Sequence, residues 1–345
     1  MISQVKNLKG NNKMKIDIFP HILPKKYKEA LYKIAPSGFY IQDVIETLPT
    51  LFNLEHRFRV MDKFEGLLHV LTLSSPPPEG VADPEKAGDL AKLANDEMAE
   101  LVLKYPDRFA AAVACLPMNN MDAALKEVDR AINDLRFRGV QINTPINDKP
   151  LDSPEFMPLY EKMSQYNLPI WIHPERPVDF SDYRTEKRSK YMIFHIFGWP
   201  YETAAAVTRL IFSGILEKYP NLKIITHHCG GMIPYLEQRI IGAYDHAEML
   251  RKAKYKQGLT KPPIEYFKML YYDTAIYGNT SGLMCAHTFC GTDHLLFGTD
   301  FPYDNQFGER YTRQTIEAIE QMAIGELEKE KIFGDNAKKL LRLPI

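Results

Sequence analysis

Short apolar runs rich in β-branched residues alternate with longer amphipathic stretches along nearly the whole chain. Eight of these runs are apolar at almost every position, which is typical of strands that are buried on both faces. The predicted strands are Lys15–Phe19, His69–Ser75, Phe109–Pro117, Gly139–Thr144, Pro169–Pro174, Lys223–His228, Leu270–Ala275 and Leu295–Asp300. Because helical material follows each strand, the pattern predicts a (β/α)8 TIM barrel.

The stretches between the strands have the apolar spacing of helices. Asp122–Phe137 places Ala124, Val128 and Ala131 on one face, and Asp122 is its predicted N-cap. The other predicted helices are Glu85–Tyr105, Ser153–Pro169, Tyr201–Tyr219, Met232–Ala253, Ser281–Phe289 and Gly308–Met322. An open doubly wound sheet is the alternative architecture, but no Gly-rich phosphate loop follows the first strand.

Two stretches are too long for the connections of a minimal barrel. Pro36–Phe64 follows the first predicted strand, and Glu175–Pro200 follows the fifth. Insertions at the C-terminal ends of barrel strands commonly build the walls or lid of an active site, so we expect both to shape the pocket. The rest of the chain indicates a single barrel domain over residues 14–345, preceded by a loose polar extension over residues 1–13.

Composition and charge exclude several classes of partner. The chain has 345 residues, 45% of them hydrophobic, and a formal net charge of -1, which gives no electrostatic reason to expect nucleic acid or an anionic membrane surface. No run of apolar residues is long enough to span a bilayer, and the N-terminus lacks the apolar region of a secretory signal. The four cysteines form no CxxC pair, which indicates reduced thiols and a cytoplasmic protein.

Polar side chains gather where the predicted strands end. The first strand leads to His21, the fifth ends in His173, the sixth in His227 and His228, and the eighth in Asp300. A lone histidine at a strand end is more often a structural residue, but in a (β/α)8 barrel all these ends meet on one face. Several imidazoles and a carboxylate that converge there predict a site for Zn²⁺ or a similar divalent ion.

Four segments carry a resemblance to a known family. They read "WIHPERP", "GWPYETAAAVTRLIFSGILEKYPNLKIITHHCGGMIPYLEQR", "LLFGTDFPYD" and "KIFGDNAKKLLRL". From Lys15 to Leu343 the chain resembles the amidohydrolase-related decarboxylases and hydrolases of the amidohydrolase superfamily, such as the aminocarboxymuconate-semialdehyde and resorcylate decarboxylases. The resemblance implies one divalent metal ion as cofactor, with zinc as the first choice and manganese or iron as alternatives.

The resemblance also implies roles for individual residues. His21, His173 and Asp300 match metal ligands of the family, and Asp300 matches a residue that also moves protons. His228 matches the histidine of the sixth strand that acts on the substrate or the metal. Because adjacent residues of a strand point to opposite faces, we expect His228 to face the pocket and His227 to pack outside the barrel.

Phe19 stands where the family usually has a further metal ligand. Residues i and i+2 of a strand share a face, so Phe19 should point at the pocket beside His21 and stack on a flat substrate ring. Asp17 shares that face but lies about 6–7 Å further down the strand, so it is a poor candidate ligand. In the second insertion the candidate partners of a substrate carboxylate are Arg176, Arg184, Lys187 and Arg188, of which we take Arg188, although such basic clusters are more often solvated loops. The segments "DFPYD" and "TAIYGN" are candidates for the pocket mouth.

Three functions are compatible with these residues. The first is a metal-dependent, non-oxidative decarboxylase of a small aromatic or unsaturated carboxylic acid, with Asp300 and His228 as catalytic residues. The second is a hydrolase of the same superfamily, in which the same residues would activate water. The third is a non-catalytic binding barrel that has lost its metal, which only Phe19 supports. An apolar helix face in "GWPYETAAAVTRLIF" is compatible with a homodimer and equally with core packing.

Overall fold

The computed structural model describes residues 14–39, 41–250 and 258–345, so the extension expected over residues 1–13 lies outside the described residues. Its strands are all parallel where they pair. They are β1 (Lys15–Asp17), β2 (His21–Ile22), β3 (Leu67–Leu73), β4 (Phe109–Ala112), β5 (Ala114–Cys115), β6 (Val140–Thr144), β7 (Pro169–Pro174), β8 (Lys223–Thr226), β9 (Tyr271–Asp273) and β10 (Leu295–Leu296).

Helices follow the strands in the order that the sequence predicts. The α-helices are α1 (Lys25–Ile34), α2 (Gln42–Thr47), α3 (Leu54–Met61), α4 (Pro78–Val81), α5 (Pro84–Lys104), α6 (Met121–Asn133), α7 (Met157–Tyr166), α8 (Trp199–Phe212), α9 (Ile215–Lys218), α10 (Glu237–Met249), α11 (Pro263–Lys268), α12 (Thr280–Cys290), α13 (Glu309–Glu320), α14 (Glu326–Glu330) and α15 (Asn336–Leu341). Short 3₁₀ or π turns lie at Pro49–Leu51, Pro154–Phe156, Phe194–Gly198, His228–Gly230, Thr292–His294 and Lys331–Asp335. No helix within the described ranges is long and apolar enough to cross a membrane.

The strands form two parallel sheets that backbone hydrogen bonds join at both ends. One sheet has the order β1–β3–β2 with β4 beside β3, and the other runs β10–β9–β8–β7–β6–β5. Ile18 N–H donates to Phe297 O (2.9 Å), and Arg138 N–H, just before β6, donates to Ala112 O in β4 (3.0 Å). Since β1 with β2 and β4 with β5 each occupy one position, there are eight strand positions, as the predicted (β/α)8 barrel requires.

Two apolar layers hold the barrel together. The interior is filled by side chains that include Ile16, Phe19, Val70, Trp171 and Ile225, all of them fully buried. The second layer packs between the strands and the surrounding helices. Every residue of β6 and β7 is buried, which explains why these strands are apolar at successive positions rather than at alternate ones.

Local polar contacts move several element ends from where the sequence places them. The first strand stops at Asp17 rather than Phe19, because the Asp17 carboxylate accepts the Phe19 N–H (3.0 Å). The N-cap of α6 is Asn120, whose side chain accepts the Ala123 N–H, so the prediction of Asp122 as N-cap was wrong. All four cysteines, which lie within the described ranges, are free thiols, as predicted.

Candidate metal and catalytic site

Five polar side chains from four strand ends converge inside the barrel mouth. Each is almost completely buried, with at most 7% of its surface exposed. They are His21 in β2, His173 in β7, His227 and His228 directly after β8, and Asp300 after β10. Parallel strands carry their C-terminal ends to one face of a barrel, which is why residues so distant in sequence meet here.

Asp300 is the centre of this cluster. One carboxylate oxygen, Oδ1, lies 3.3 Å from His21 Nε2 and 3.3 Å from His227 Nε2. The other, Oδ2, lies 3.7 Å from His228 Nε2 and accepts the Tyr277 hydroxyl at 3.1 Å. Burial would raise the pKa of Asp300, but the contacts with His21, His227 and His228 outweigh it and hold that pKa well below its usual value.

His227 lies inside this cluster, so the expectation that it packs outside the barrel was wrong. The strand ends at Thr226, and His228 has a positive φ of 51°, so the alternation of side chains along a strand no longer applies here. The His227 Nδ1 pairs with the Asp273 carboxylate, and its ring stacks on Phe19. Burial lowers the pKa of His227, but Asp273 and Asp300 outweigh that effect and raise it to about 9.

Three ring nitrogens of the cluster are available to a ligand. Within the described part of the chain, His173 Nδ1 and His228 Nδ1 are buried and have no hydrogen-bond partner, and His21 Nε2 faces the Asp300 carboxylate at 3.3 Å. Burial lowers the pKa of the His21 and His173 imidazoles, so both are neutral, which is the form that binds metals. His227, in contrast, has Asp273 on one nitrogen and Asp300 close to the other.

The donor atoms are close enough to share one ion. Atoms of His21, His173 and His227 lie within 4.8 Å of one another, and so do atoms of His227, His228 and Asp300. A mixed set of imidazole nitrogens and a carboxylate oxygen suits zinc, manganese or iron, so the residues fit a divalent ion. The ligand set His21, His173 and Asp300 stays a prediction, to which the geometry adds His227 as a candidate.

A cavity of about 360 Å³ opens onto this cluster. Both long insertions contribute to its wall, which confirms the prediction that they shape the pocket. Its lining residues are Gly38, Phe39, Ile41, Gln42, Asp43, Val44, Ser75, His173, Met192, Phe194, His195, Trp199, Tyr277, Asp300, Tyr303 and Tyr311. Tyr277 and Tyr303 come from the two segments that the sequence placed at the pocket mouth.

The two predicted substrate-binding residues lie away from this wall. Phe19 is fully buried, and its ring is covered by His227, so it forms part of the support beneath the cluster. Arg188 is exposed on the second insertion and is not a lining residue. The carboxylate of Asp17, the poor candidate ligand, accepts the N–H and the hydroxyl of Thr299 instead.

Residues that the sequence reasoning missed surround the cluster. His195 and Trp199 pack against each other in the cavity wall, with ring centroids 4.6 Å apart and 58° between the ring planes. Arg57 is fully buried on α3, and its Nη1 donates to His21 O at 2.8 Å, so it fixes the backbone of that histidine. The only signal for His195 and Trp199 was the aromatic composition of the second insertion, and nothing in the local pattern singles out Arg57.

A parallel (β/α)8 barrel that gathers imidazoles and a carboxylate at its strand ends has the architecture of a metal-dependent hydrolase or lyase. The chain belongs to the family described as Amidohydrolase, which matches residues 61–343. The resemblance inferred from the sequence is therefore confirmed.

Known relatives cover most of the chain. It is 32% identical over 297 residues to the gamma-resorcylate decarboxylase of Polaromonas sp., covering 84% of this chain and 87% of that protein. It is 28% identical to the 2-amino-3-carboxymuconate-6-semialdehyde decarboxylase of Dictyostelium discoideum, covering 96% and 92%. A dihydroxybenzoic acid decarboxylase from Polaromonas sp. JS666, solved with bound manganese and the inhibitor 2-nitroresorcinol, superposes with a TM-score of 0.79 at 28% identity, covering 96% and 97%. These matches confirm the predicted class, an amidohydrolase-related carboxy-lyase or hydrolase.

Proposed function

We propose that this chain is a metal-dependent, non-oxidative decarboxylase of an aromatic carboxylic acid. The observation that carries the proposal is the placement of Asp300 and His173 in the wall of a ring-sized cavity to which six Phe, Trp and Tyr side chains also contribute. The relatives named above, which are decarboxylases by name, support the same reaction. Aromatic walls suit a flat ring, and the polar groups concentrate where the carboxylate would react.

The cofactor that fits this site is one divalent ion, held by His21, His173 and Asp300. When bound, such an ion supplies Lewis acidity that draws charge from an oxygen of the substrate. The ion could be zinc, manganese or iron, since all three accept nitrogen and oxygen ligands. Manganese in the related structure favours manganese over the zinc that the sequence suggested first.

Asp300 and its neighbours are placed to move the proton that decarboxylation requires. The bond between the ring and the carboxylate breaks, carbon dioxide leaves, and a proton takes its place on the ring carbon. We assign transfer of that proton to Asp300. Because its low pKa keeps this carboxylate ionised at rest, it first takes the proton from a neighbour, either His227 Nε2 at 3.3 Å, whose raised pKa keeps it protonated, or Tyr277 OH at 3.1 Å. His228 Nδ1, which has no hydrogen-bond partner among the described residues, can contact a substrate oxygen.

The two alternative functions lead to different measurements. A hydrolase would use the same residues on an ester or lactone, and a binding barrel would have no turnover. The test incubates metal-loaded protein with hydroxylated benzoates and, separately, with aryl esters and lactones, and follows carbon dioxide release and hydrolysis in parallel. Carbon dioxide release that is absent from His173→Ala supports the proposal. Hydrolysis without carbon dioxide release, or no turnover of either kind, contradicts it.

We also propose a location in the cell and an oligomeric state. The near-neutral charge and the free thiols support a cytoplasmic location. Exposed aromatic side chains near the cavity, such as Tyr191 and Phe197, support a homodimer, which sedimentation velocity would test.

A further inference from the structure

We infer that the substrate carries a single carboxylate, the one that is lost, and that the other substituents on its ring are neutral. The inference rests on the proposed function, because it assumes that one carboxylate reacts at the cluster. It goes further because it separates monocarboxylic acids from dicarboxylic acids within the same reaction class.

The charge of the cavity wall is the first observation. Among the described residues that line the cavity, none is lysine or arginine, and the two charged carboxylates are Asp300 at the cluster and Asp43. Asp43 lies in the first turn of α2 and is exposed, so it faces the solvent side of the cavity. A second carboxylate on the substrate would therefore enter a wall that offers it no counter-charge and one like charge.

Three arginine side chains of the two insertions are held outside the cavity wall. The Arg176 guanidinium lies 5.0 Å from the ring centre of Phe180 and 5.8 Å from that of Tyr201, so it stacks on aromatic rings of the insertion. Arg57 is fully buried and donates to the carbonyl of His21. Arg188 is exposed outside the wall. None of these guanidinium groups lines the space that the ring would fill.

The polar groups in the wall are neutral or already engaged. The Tyr277 hydroxyl donates to Asp300, Tyr303 pairs with the Ser74 hydroxyl, and the Ser75 hydroxyl donates to Glu175. Burial lowers the pKa of His195, so this imidazole adds no positive charge at neutral pH. Hydroxyl, methyl or amide substituents can be accommodated by such a wall without an unpaired buried charge.

Desolvation disfavours a second carboxylate in this cavity. An ionised carboxylate that leaves water without a cationic or multiple hydrogen-bonding partner loses far more solvation than a neutral group of the same shape. The volume of about 360 Å³ is near the lower end of the range for ligand pockets, which favours a single ring over a larger substrate that could keep its second carboxylate in water.

The test compares three ligands that differ at one position. They are salicylate, 5-carbamoylsalicylate and 5-carboxysalicylate, so the second and third have nearly the same shape but differ in charge. Binding to the metal-loaded protein is measured by isothermal titration calorimetry, which does not depend on turnover. We expect the carbamoyl and unsubstituted acids to bind within about threefold of each other, and the dicarboxylate to bind at least about tenfold more weakly.

Charge reversal at Asp43 makes the test specific to the wall. Asp43→Lys should reduce the ratio of the Kd of 5-carboxysalicylate to that of 5-carbamoylsalicylate by about three- to tenfold. The reduction is modest because an exposed counter-charge stabilises a bound carboxylate only weakly. Asp89 is an exposed acid on α5 that does not line the cavity. Asp89→Lys makes the same change in net charge and should leave the ratio of the two dissociation constants unchanged.

The outcomes separate this inference from the proposed function. Equal affinity of the wild type for the carboxy and carbamoyl ligands would overturn the inference, and so would the absence of binding by all three acids. If Asp43→Lys had the same ratio of dissociation constants as the wild type, the charge of this wall would not be the cause of the weaker binding of the dicarboxylate. The expected pattern of affinities without carbon dioxide release from any hydroxylated benzoate would reject decarboxylation, and of the inference only the preference of the cavity for monocarboxylic acids would remain.

Discussion

The phenyl ring of Phe19 stacks on the imidazole of His227, with ring centroids 3.7 Å apart and 15° between the ring planes. The same imidazole pairs with Asp273 through Nδ1 and lies 3.3 Å from Asp300 through Nε2. This stack gives a structural reason for the apolar side chain of Phe19, which lies just after the first strand. Where a further metal ligand was expected, Phe19 provides a flat surface that fixes the plane of a catalytic-site histidine.

Replacement of Phe19 by leucine tests this role. Phe19→Leu keeps an apolar side chain but removes the ring stack, so we expect a loss of about 1–2 kcal/mol in unfolding free energy and a clear fall in kcat, with metal content unchanged. Urea denaturation, elemental analysis and steady-state kinetics provide the three readouts. Phe333→Leu is the control, since Phe333 is equally buried but packs on Phe297. If both variants lost the same stability and neither lost kcat, the stack would have no role in the site.

Metal content provides the second prediction. Wild-type protein supplied with manganese or zinc and then dialysed should retain close to one ion per chain, and His173→Ala should retain almost none, because one of few ligands is missing. His195→Ala is the matched control, because His195 lines the same cavity but belongs to neither group of close donor atoms. Removal of the ion by a chelator should also lower the Tm of the wild type. A full complement of metal in His173→Ala would exclude His173 as a ligand.

The sequence predicted which segments form the strands of the barrel, and for one strand it also predicted both ends. The bounds of β7 agree with the prediction at both ends, because Pro169 starts a strand that is buried on both faces, and His173 follows at its C-terminal end. The order of the strands and the convergence of His21, His173 and Asp300 then follow from parallel topology.

Side chains beyond the last strand residue were less predictable. His227 was misplaced because the period of two holds only within a strand, and β8 ends one residue before it. The wall residues His195 and Trp199, and the buried Arg57, depend on how two long insertions fold back over the strand ends. Such long-range packing leaves no periodic signal in the local sequence.

Asp300 provides the third prediction, which concerns chemistry rather than binding. Asp300→Asn keeps the shape of the side chain but removes the group that we assign to proton delivery, so we expect kcat to fall by about 10²–10⁴. The exchange of the ring hydrogen of the product with deuterated water should fall in parallel. Asp304→Asn serves as a contrast, because Asp304 accepts the backbone N–H groups of Gln306 and Tyr311, and its replacement should affect stability more than turnover. An Asp300→Asn variant with normal turnover would exclude this assignment.

Glu79 provides a prediction about pH and stability away from the catalytic cluster. Its carboxyl group is buried, and its Oε2 has no hydrogen-bond partner in the described ranges. Burial, with a smaller contribution from the like charge of Glu175, raises the pKa of Glu79 from 4.5 to about 8. The unfolded chain therefore releases this proton at a lower pH than the folded chain does. The stabilising contribution of the protonated group is complete below pH 4.5 and is lost as the pH rises to about 8.

Replacement of Glu79 by glutamine should remove this dependence on pH. Between pH 5 and 8 the unfolding free energy of the wild type should fall more steeply than that of Glu79→Gln, by up to about 1.4 kcal/mol per pH unit. Urea denaturation at several pH values, on metal-free samples of both proteins, measures the difference without a contribution from metal binding. Glu85→Gln, an exposed glutamate at the start of α5, should follow the wild type. Parallel curves for Glu79→Gln and the wild type would show that Glu79 is ionised in the folded protein at neutral pH, with its charge balanced by water or a cation in the small polar cavity that it lines with Gln141 and Asn143.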